Sequence, residues 1–200
     1  MLSATDSTLP QLTADAVLVV LILVNALLGW RTGTLRRLLS AIALYAAFLG
    51  AYYTGNGFAS LVRKGDIFAN AWAFVAILVV VVIAFEIIGR ALSDRIEHVA
   101  SVAFDRVAGM LLGAAVGFFQ AAVLFMVALA VGAATPGAGN TVPANHSVAA
   151  DAVRSAAIAS HAIGVEPALR AVFAPLISTD LTTHLENGTQ LTSVLLPVPR

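Results

Sequence analysis

The chain contains no cysteine and few charges. The missing thiols exclude disulfides, thiol catalysis and Cys-ligated zinc or iron–sulfur centres, and they leave the redox compartment open. Charged residues make up 11% of the chain, against about 25% in an average soluble domain. Acidic and basic groups balance to a formal net charge of +0, so no global basic field draws in nucleic acid. No Lys or Arg precedes Arg31, whereas Asp6 and Asp15 do. The basic region of a secretory signal is thus missing, and the first apolar run is expected to remain as a membrane span. No G-x-S-x-G, H-E-x-x-H or Walker A pattern occurs. His98, His146, His161 and His184 are scattered without ligand spacing. The expectation is a non-enzyme with no metal and no cofactor.

What is present is grease. Hydrophobic residues form 60% of the chain, concentrated in Ala16–Trp30, Leu38–Tyr53, Ile67–Ile88 and Val107–Ala134. About 20 apolar residues are what a helix needs to cross the hydrocarbon core. Inside that core each backbone N–H and C=O must be satisfied within its own segment, so each run reads as a helix. The first run is the shortest and contains Asn25, so it borrows Leu12–Asp15 to reach the interface. Trp30 and the tyrosines Tyr52 and Tyr53 suit the headgroup boundary. Thr54–Gly57 reads as a break after the second span, and Phe58–Val62 as a stub lying flat. In Gly89–Asp105 the apolar residues Leu92, Ile96, Val99 and Ala103 recur at helical spacing, which predicts an amphipathic helix along the membrane surface.

The fold class expected is therefore all-α. It is a polytopic membrane protein with a polar leader over 1–14 and a four-span domain over 15–134, the spans lying at about 14–30, 38–53, 67–88 and 107–134. Residues 135–200 form a Pro/Gly linker and a short-helix tail. A helix is expected from Glu166–Pro167, with Leu169, Val172, Phe173 and Leu176 on one face and Pro175 ending it. The tail is too thinly apolar for a core of its own, so its helices should rest on the membrane or on the bundle. Lys and Arg placement favours both termini outside, with Arg31, Arg36 and Arg37 and the Arg90–Arg106 connection in the cytoplasm. The Arg63–Lys64 pair sits on the opposite side.

Four constellations stand out. Gly109, Gly113 and Gly117 put a smooth stripe on the fourth span, which lets backbones approach closely. Gln120 falls on the same stripe. The face packs against a neighbouring span or against a second copy of the chain. On the first span Asp15, Ile22, Asn25 and Gly29 share one sector, whose polar members should face protein or a water-filled cavity. Alternatively Asp15 begins the helix, where a carboxylate complements the dipole. Glu86 is the one carboxylate within a span, a default candidate for carrying protons or ions. Arg90 lies four residues later on the same helix face, so a structural ion pair is the competing reading. Asp105 and Arg106, where the surface helix meets the fourth span, suit a cap, a local salt bridge or a contact with anionic headgroups.

The order of these segments carries a resemblance. Asp15 opens the first span, followed by Gly29-Trp30-Arg31-Thr32-Gly33 and then Arg36 and Arg37. Later comes Phe104-Asp105-Arg106-Val107-Ala108-Gly109, leading into Gly113 and Gly117. Together they resemble the colicin V production protein (CvpA) family over roughly Asp15–Ala134. Ala152–Ile177 is loosely similar to the region after the last span in the actinobacterial branch. The resemblance implies a multi-pass protein of the bacterial inner membrane that supports toxin production or export, or envelope homeostasis, through helix and partner contacts. In some relatives the same spans anchor an extracytoplasmic serine protease; nothing after Pro143 here offers a nucleophile elbow. Two other functions compete. One is a small oligomeric transporter or channel using Asp15, Asn25, Glu86 and Gln120. The other is an anchor for a serine protease made as a separate chain. The partners expected are the lipid bilayer and either a second copy or another envelope protein.

Overall fold

A computed structural model describes residues 8–62, 66–93, 102–135, 142–165, 167–168, 171 and 181–186. Most of these residues are helical, with no strand among them. Four long helices dominate: α1 (Thr8–Thr32), α2 (Thr34–Val62), α3 (Ile67–Ser93) and α4 (Val102–Ala133). Each is long and apolar enough to cross a membrane. Three short helices follow: α5 (Val148–Ser155), α6 (Ala159–Ile163) and α7 (Leu181–Glu186).

α1 packs along α4, α2 packs along α3, and the two pairs meet where α2 touches α4. Both pairs are antiparallel: Gly29 and Leu21 of α1 meet Gly109 and Gly117 of α4, and Ser40 and Gly55 of α2 meet Glu86 and Phe74 of α3. One end of the bundle therefore gathers the α1–α2 turn, the end of α3 and the start of α4. It carries Arg31, Arg36, Arg37 and Arg106 and is called the arginine end below. The opposite end, the tail end, carries α5–α7.

The surface of the spans is what lipid favours. Val20, Leu23 and Leu27 of α1 and Val80, Ile83, Ile87 and Ile88 of α3 are exposed. In water they would form an apolar patch far larger than a soluble monomer shows. Trp30 and Phe104 stand exposed at the arginine end, Trp72 and Tyr53 at the tail end, two aromatic belts at the interfaces. The protein is a multi-pass membrane protein.

Small residues set the spacing inside. Along α2, Ala43, Ala47, Ala51, Gly55 and Ala59 recur every fourth residue, and all are buried. Gly55 leaves room for the Phe74 backbone, whose Cα lies 3.4 Å from where a Cβ would stand. Phe74 then meets Phe48 edge to face, with ring centroids 5.4 Å apart.

Several boundaries differ from the sequence expectations. α1 takes in Thr8–Ala14, part of the segment read as leader. α2 does not break at Thr54–Gly57, and Phe58–Val62 is its last turn. The Thr54 hydroxyl donates to the Gly50 carbonyl at 2.7 Å, and Ser60 donates to Gly57 at 2.7 Å. Hydroxyls bonded back to their own helix need no water, so a membrane helix tolerates them. The predicted surface helix is also redistributed. Gly89–Ser93 continue α3 and Val102–Asp105 open α4, while 94–101 lie outside the described residues. Most of the helix expected from Glu166 also lies outside them.

The tail helices rest on the bundle. α5 buries Ala150, Ala152 and Val153 against α1 and α4, and Gly132 of α4 makes room for Ala150. α7 lies on α3 and α4, where the Asn70 amide donates to the Leu185 carbonyl at 2.6 Å. His184 stacks on Tyr52 with ring centroids 3.9 Å apart. Burial pushes its imidazole down to about 4, and a hydrogen bond to the Tyr52 backbone partly opposes that shift.

Candidate functional site

The glycine stripe belongs to the α1–α4 seam, within one chain. A Cβ on Gly113 would run into the Asn25 carbonyl, and one on Gly117 into the Leu21 carbonyl. A Cβ on Gly29 would strike the Gly109 carbonyl, and one on Gly109 would stand 2.5 Å from the Gly29 oxygen. In each case the obstacle is backbone, which cannot swing aside. Lipid gives helices no hydrophobic reason to associate, so close packing of this kind is what holds α1 to α4.

The seam ends in a turn that joins three helices. Gly33 sits between α1 and α2 at φ +79°, the left-handed conformation that ends many helices. Its N–H donates to the Gly29 carbonyl at 2.9 Å. Asp105, in the first turn of α4, accepts from the Thr34 N–H at 2.9 Å through Oδ1. The Thr34 hydroxyl donates to the Asp105 backbone carbonyl at 3.0 Å. Asp105 thus caps α2 from another helix and satisfies an N–H that α2 cannot. A side chain at Gly33 would collide with the Asp105 carboxylate. The segments Gly29–Gly33 and Phe104–Gly109 are therefore two sides of one contact.

Below that turn, polar side chains from all four spans form one connected chain. The Asn25 amide of α1 donates to the Leu21 carbonyl and to Gln120 Oε1 of α4, each at 2.9 Å. Arg37 of α2 donates through Nη1 to Asn25 Oδ1 at 3.2 Å. The same nitrogen lies 3.6 Å from Glu86 Oε1 of α3. Arg36 Nε lies 3.9 Å from Glu86 Oε2, and the Ser40 hydroxyl donates to Oε1 at 2.5 Å. The series runs from Glu86 near the arginine end to Gln120 in the middle of α4. A charge in a bilayer is costly unless paired, and here the pairing comes from within the fold.

Several sequence expectations change here. Arg37, expected at the cytoplasmic interface, is 1% exposed inside the bundle. Arg36 is also drawn inward, while Arg31 and Arg106 remain exposed. Among the described residues Glu86 pairs with Arg36 and Arg37 of α2; the expected partner Arg90 has its side chain outside them. Asp15 does not begin α1, because the helix starts seven residues earlier, at Thr8. Its carboxylate instead accepts from the N–H groups of Ala157, Ile158 and Ala159 at 3.2, 2.9 and 2.7 Å. It caps α6 from the first span and ties the tail to the bundle. Ser40 and the small-residue ridge of α2 escaped the sequence reading. The fourfold recurrence of Ala and Gly was the available signal for the ridge, while Ser40 had none.

No curated protein and no solved structure matches the chain. The family model described as colicin V production protein matches residues 14–165. That span contains the three-helix turn, the polar series and the Asp15 cap, and it continues through α5 and α6. On that match the chain belongs to the colicin V production protein (CvpA) family.

Proposed function

We propose that this chain is a non-enzymatic module of the bacterial inner membrane that supports toxin production or export, or envelope homeostasis, through contacts with partner proteins. One observation carries the reading: among the described residues, polar side chains of all four spans bond one another. Asn25, Gln120, Arg37, Ser40 and Glu86 hold four helices together, and Asp15 holds the tail. Side chains used in this way build a frame, and the described intramembrane carboxylate, Glu86, is paired within it. On this reading the arginine end is cytoplasmic, supported by Arg31, Arg36, Arg37 and Arg106, and both termini are extracytoplasmic.

Site-specific photo-crosslinking in native membranes tests it, with the probe at exposed Val148 or Ile158 on the tail. The expected result is a discrete adduct with an envelope protein or a second copy. Recovery of uncrosslinked monomer alone from both positions would refute the reading. An adduct with a secreted serine protease would move it to the anchor role. Sidedness has a direct readout, since the chain lacks cysteine. A single Arg154→Cys should react with an impermeant maleimide added from outside intact cells.

A second reading, a small oligomeric transporter, draws on the same series, because it leads from Glu86 into the bundle interior. Flux in liposomes that disappears with Glu86→Gln would favour it.

A further inference from the structure

Among the described residues, the arginine end holds more positive than negative charge where water is scarce. Arg36 and Arg37 both lie against Glu86, with side chains 14% and 2% exposed. One carboxylate thus faces two guanidiniums, neither of which can shed its proton. The Nε–H groups of both are buried without a hydrogen-bond acceptor. Asp105 is the other acid described at this end, and its Oδ1 is spent on Thr34. Arg31 and Arg106 add charge of the same sign. Glu86 keeps a 23% exposed side chain, so the cluster opens at its Glu86–Arg36 side.

We propose that this cluster binds a phosphate-bearing anion, the phosphodiester headgroup of an anionic phospholipid from the adjoining leaflet. The chemistry fits in three respects. An anion neutralises the surplus guanidinium charge that the low-dielectric interior penalises. Guanidinium forks match phosphate oxygens geometrically, and Arg36 is the guanidinium nearer the surface. The site lies between spans, where basic pockets meet lipid headgroups without those lipids leaving the membrane. Free phosphate shares this chemistry, and the experiment separates the two sources. The inference rests on the membrane-spanning fold and is independent of any role in toxin production.

Native mass spectrometry of the full chain in neutral detergent, supplied with phosphatidylglycerol and phosphatidylcholine, tests it. Phosphatidylglycerol should be retained at least about tenfold over phosphatidylcholine. Arg36→Gln should abolish that preference and Arg36→Lys should restore part of it. Glu86→Gln, which removes the competing carboxylate, should strengthen retention. Arg31→Gln and Arg106→Gln, at exposed positions on the same end, should change it by less than about twofold. If millimolar inorganic phosphate displaces the lipid, the headgroup alone suffices; if it does not, the acyl chains contribute, and the anion site stands in both cases. Equal retention of the two lipids would overturn the proposal. So would equal losses in Arg31→Gln and Arg36→Gln. Arg36→Lys, which keeps the charge, provides a reading even where Arg36→Gln does not fold, because retention there equal to that of the unaltered chain contradicts a guanidinium site.

Discussion

The Arg37 guanidinium lies 3.6 Å from the Glu86 carboxylate, and it reaches that position from a different helix. Arg37 also bonds Asn25, so this ion pair is the node joining α3, α2 and α1. Its removal should not resemble the loss of a surface salt bridge. Arg37 is almost fully buried, and removing its counter-charge leaves a cation that cannot neutralise itself.

The Glu86→Gln variant should accordingly lose about 3 kcal/mol of stability, the lower end for breaking a buried pair, because the Glu86 side chain retains some exposure. The double variant Glu86→Gln/Arg37→Gln should be more stable than Glu86→Gln alone. Unfolding of the detergent-solubilised chain in graded sodium dodecyl sulfate would measure both. A double variant worse than either single change would show that the pair itself contributes little.

The seam between α1 and α4 gives a sharper contrast between glycines. Gly113→Ala forces a methyl group into the Asn25 carbonyl, so the helices must part, at a cost of about 1–3 kcal/mol. Gly50→Ala meets nothing within 4 Å. It should be neutral or stabilising by up to about 1 kcal/mol, the propensity difference between Ala and Gly in a helix. Thermal unfolding midpoints of the two variants in one detergent are sufficient to compare them.

How much of this was legible in the sequence depends on distance along the chain. Spans are local features, so Ile67–Ile88 could be read from hydropathy, and Gly109–Gly113–Gly117 from helical spacing. The partner of that stripe could not be assigned, because a smooth face fits a neighbouring span and a second copy equally well. Glu86 pointed to Arg90 because pairs one turn apart are the only ones a single helix reveals. Its described partners, Arg36 and Arg37 of α2, are brought near by the fold. Thr54–Gly57 looked like a break because Thr and Gly interrupt helices in water, whereas in lipid the Thr54 hydroxyl bonds back to Gly50.

Asp15 shows the same limit and yields its own prediction. Its carboxylate caps three amides that lie more than 140 positions away in the chain. Asp15→Ala should release α6 while leaving the α1–α4 seam intact. Hydrogen exchange at Ala157, Ile158 and Ala159 should rise several-fold, since opening there no longer breaks the cap. Exchange in Val116–Phe125 should stay unchanged. Asp15→Asn, which keeps an acceptor oxygen, should fall between the two. Uniform acceleration across α4 would instead mean that Asp15 supports the whole bundle.

His184 makes the docking of α7 sensitive to acid. In the folded chain its imidazole sits against Tyr52 with its pKa lowered to about 4 by burial, while the unfolded value is about 6.5. Between those values the undocked state binds more protons than the docked one, so docking weakens as pH falls from about 6.5 toward 4. Above that window the His184 contribution is fully present, and below it no further loss comes from this residue. His184→Phe keeps an aromatic ring against Tyr52 and removes the titrating group, so its α7 should stay docked across the window. Amide exchange of Leu185, followed from pH 7.5 to 4 and corrected for the intrinsic exchange rate, measures the docking. If the wild-type and His184→Phe profiles coincide, acid sensitivity at this end arises from some other group.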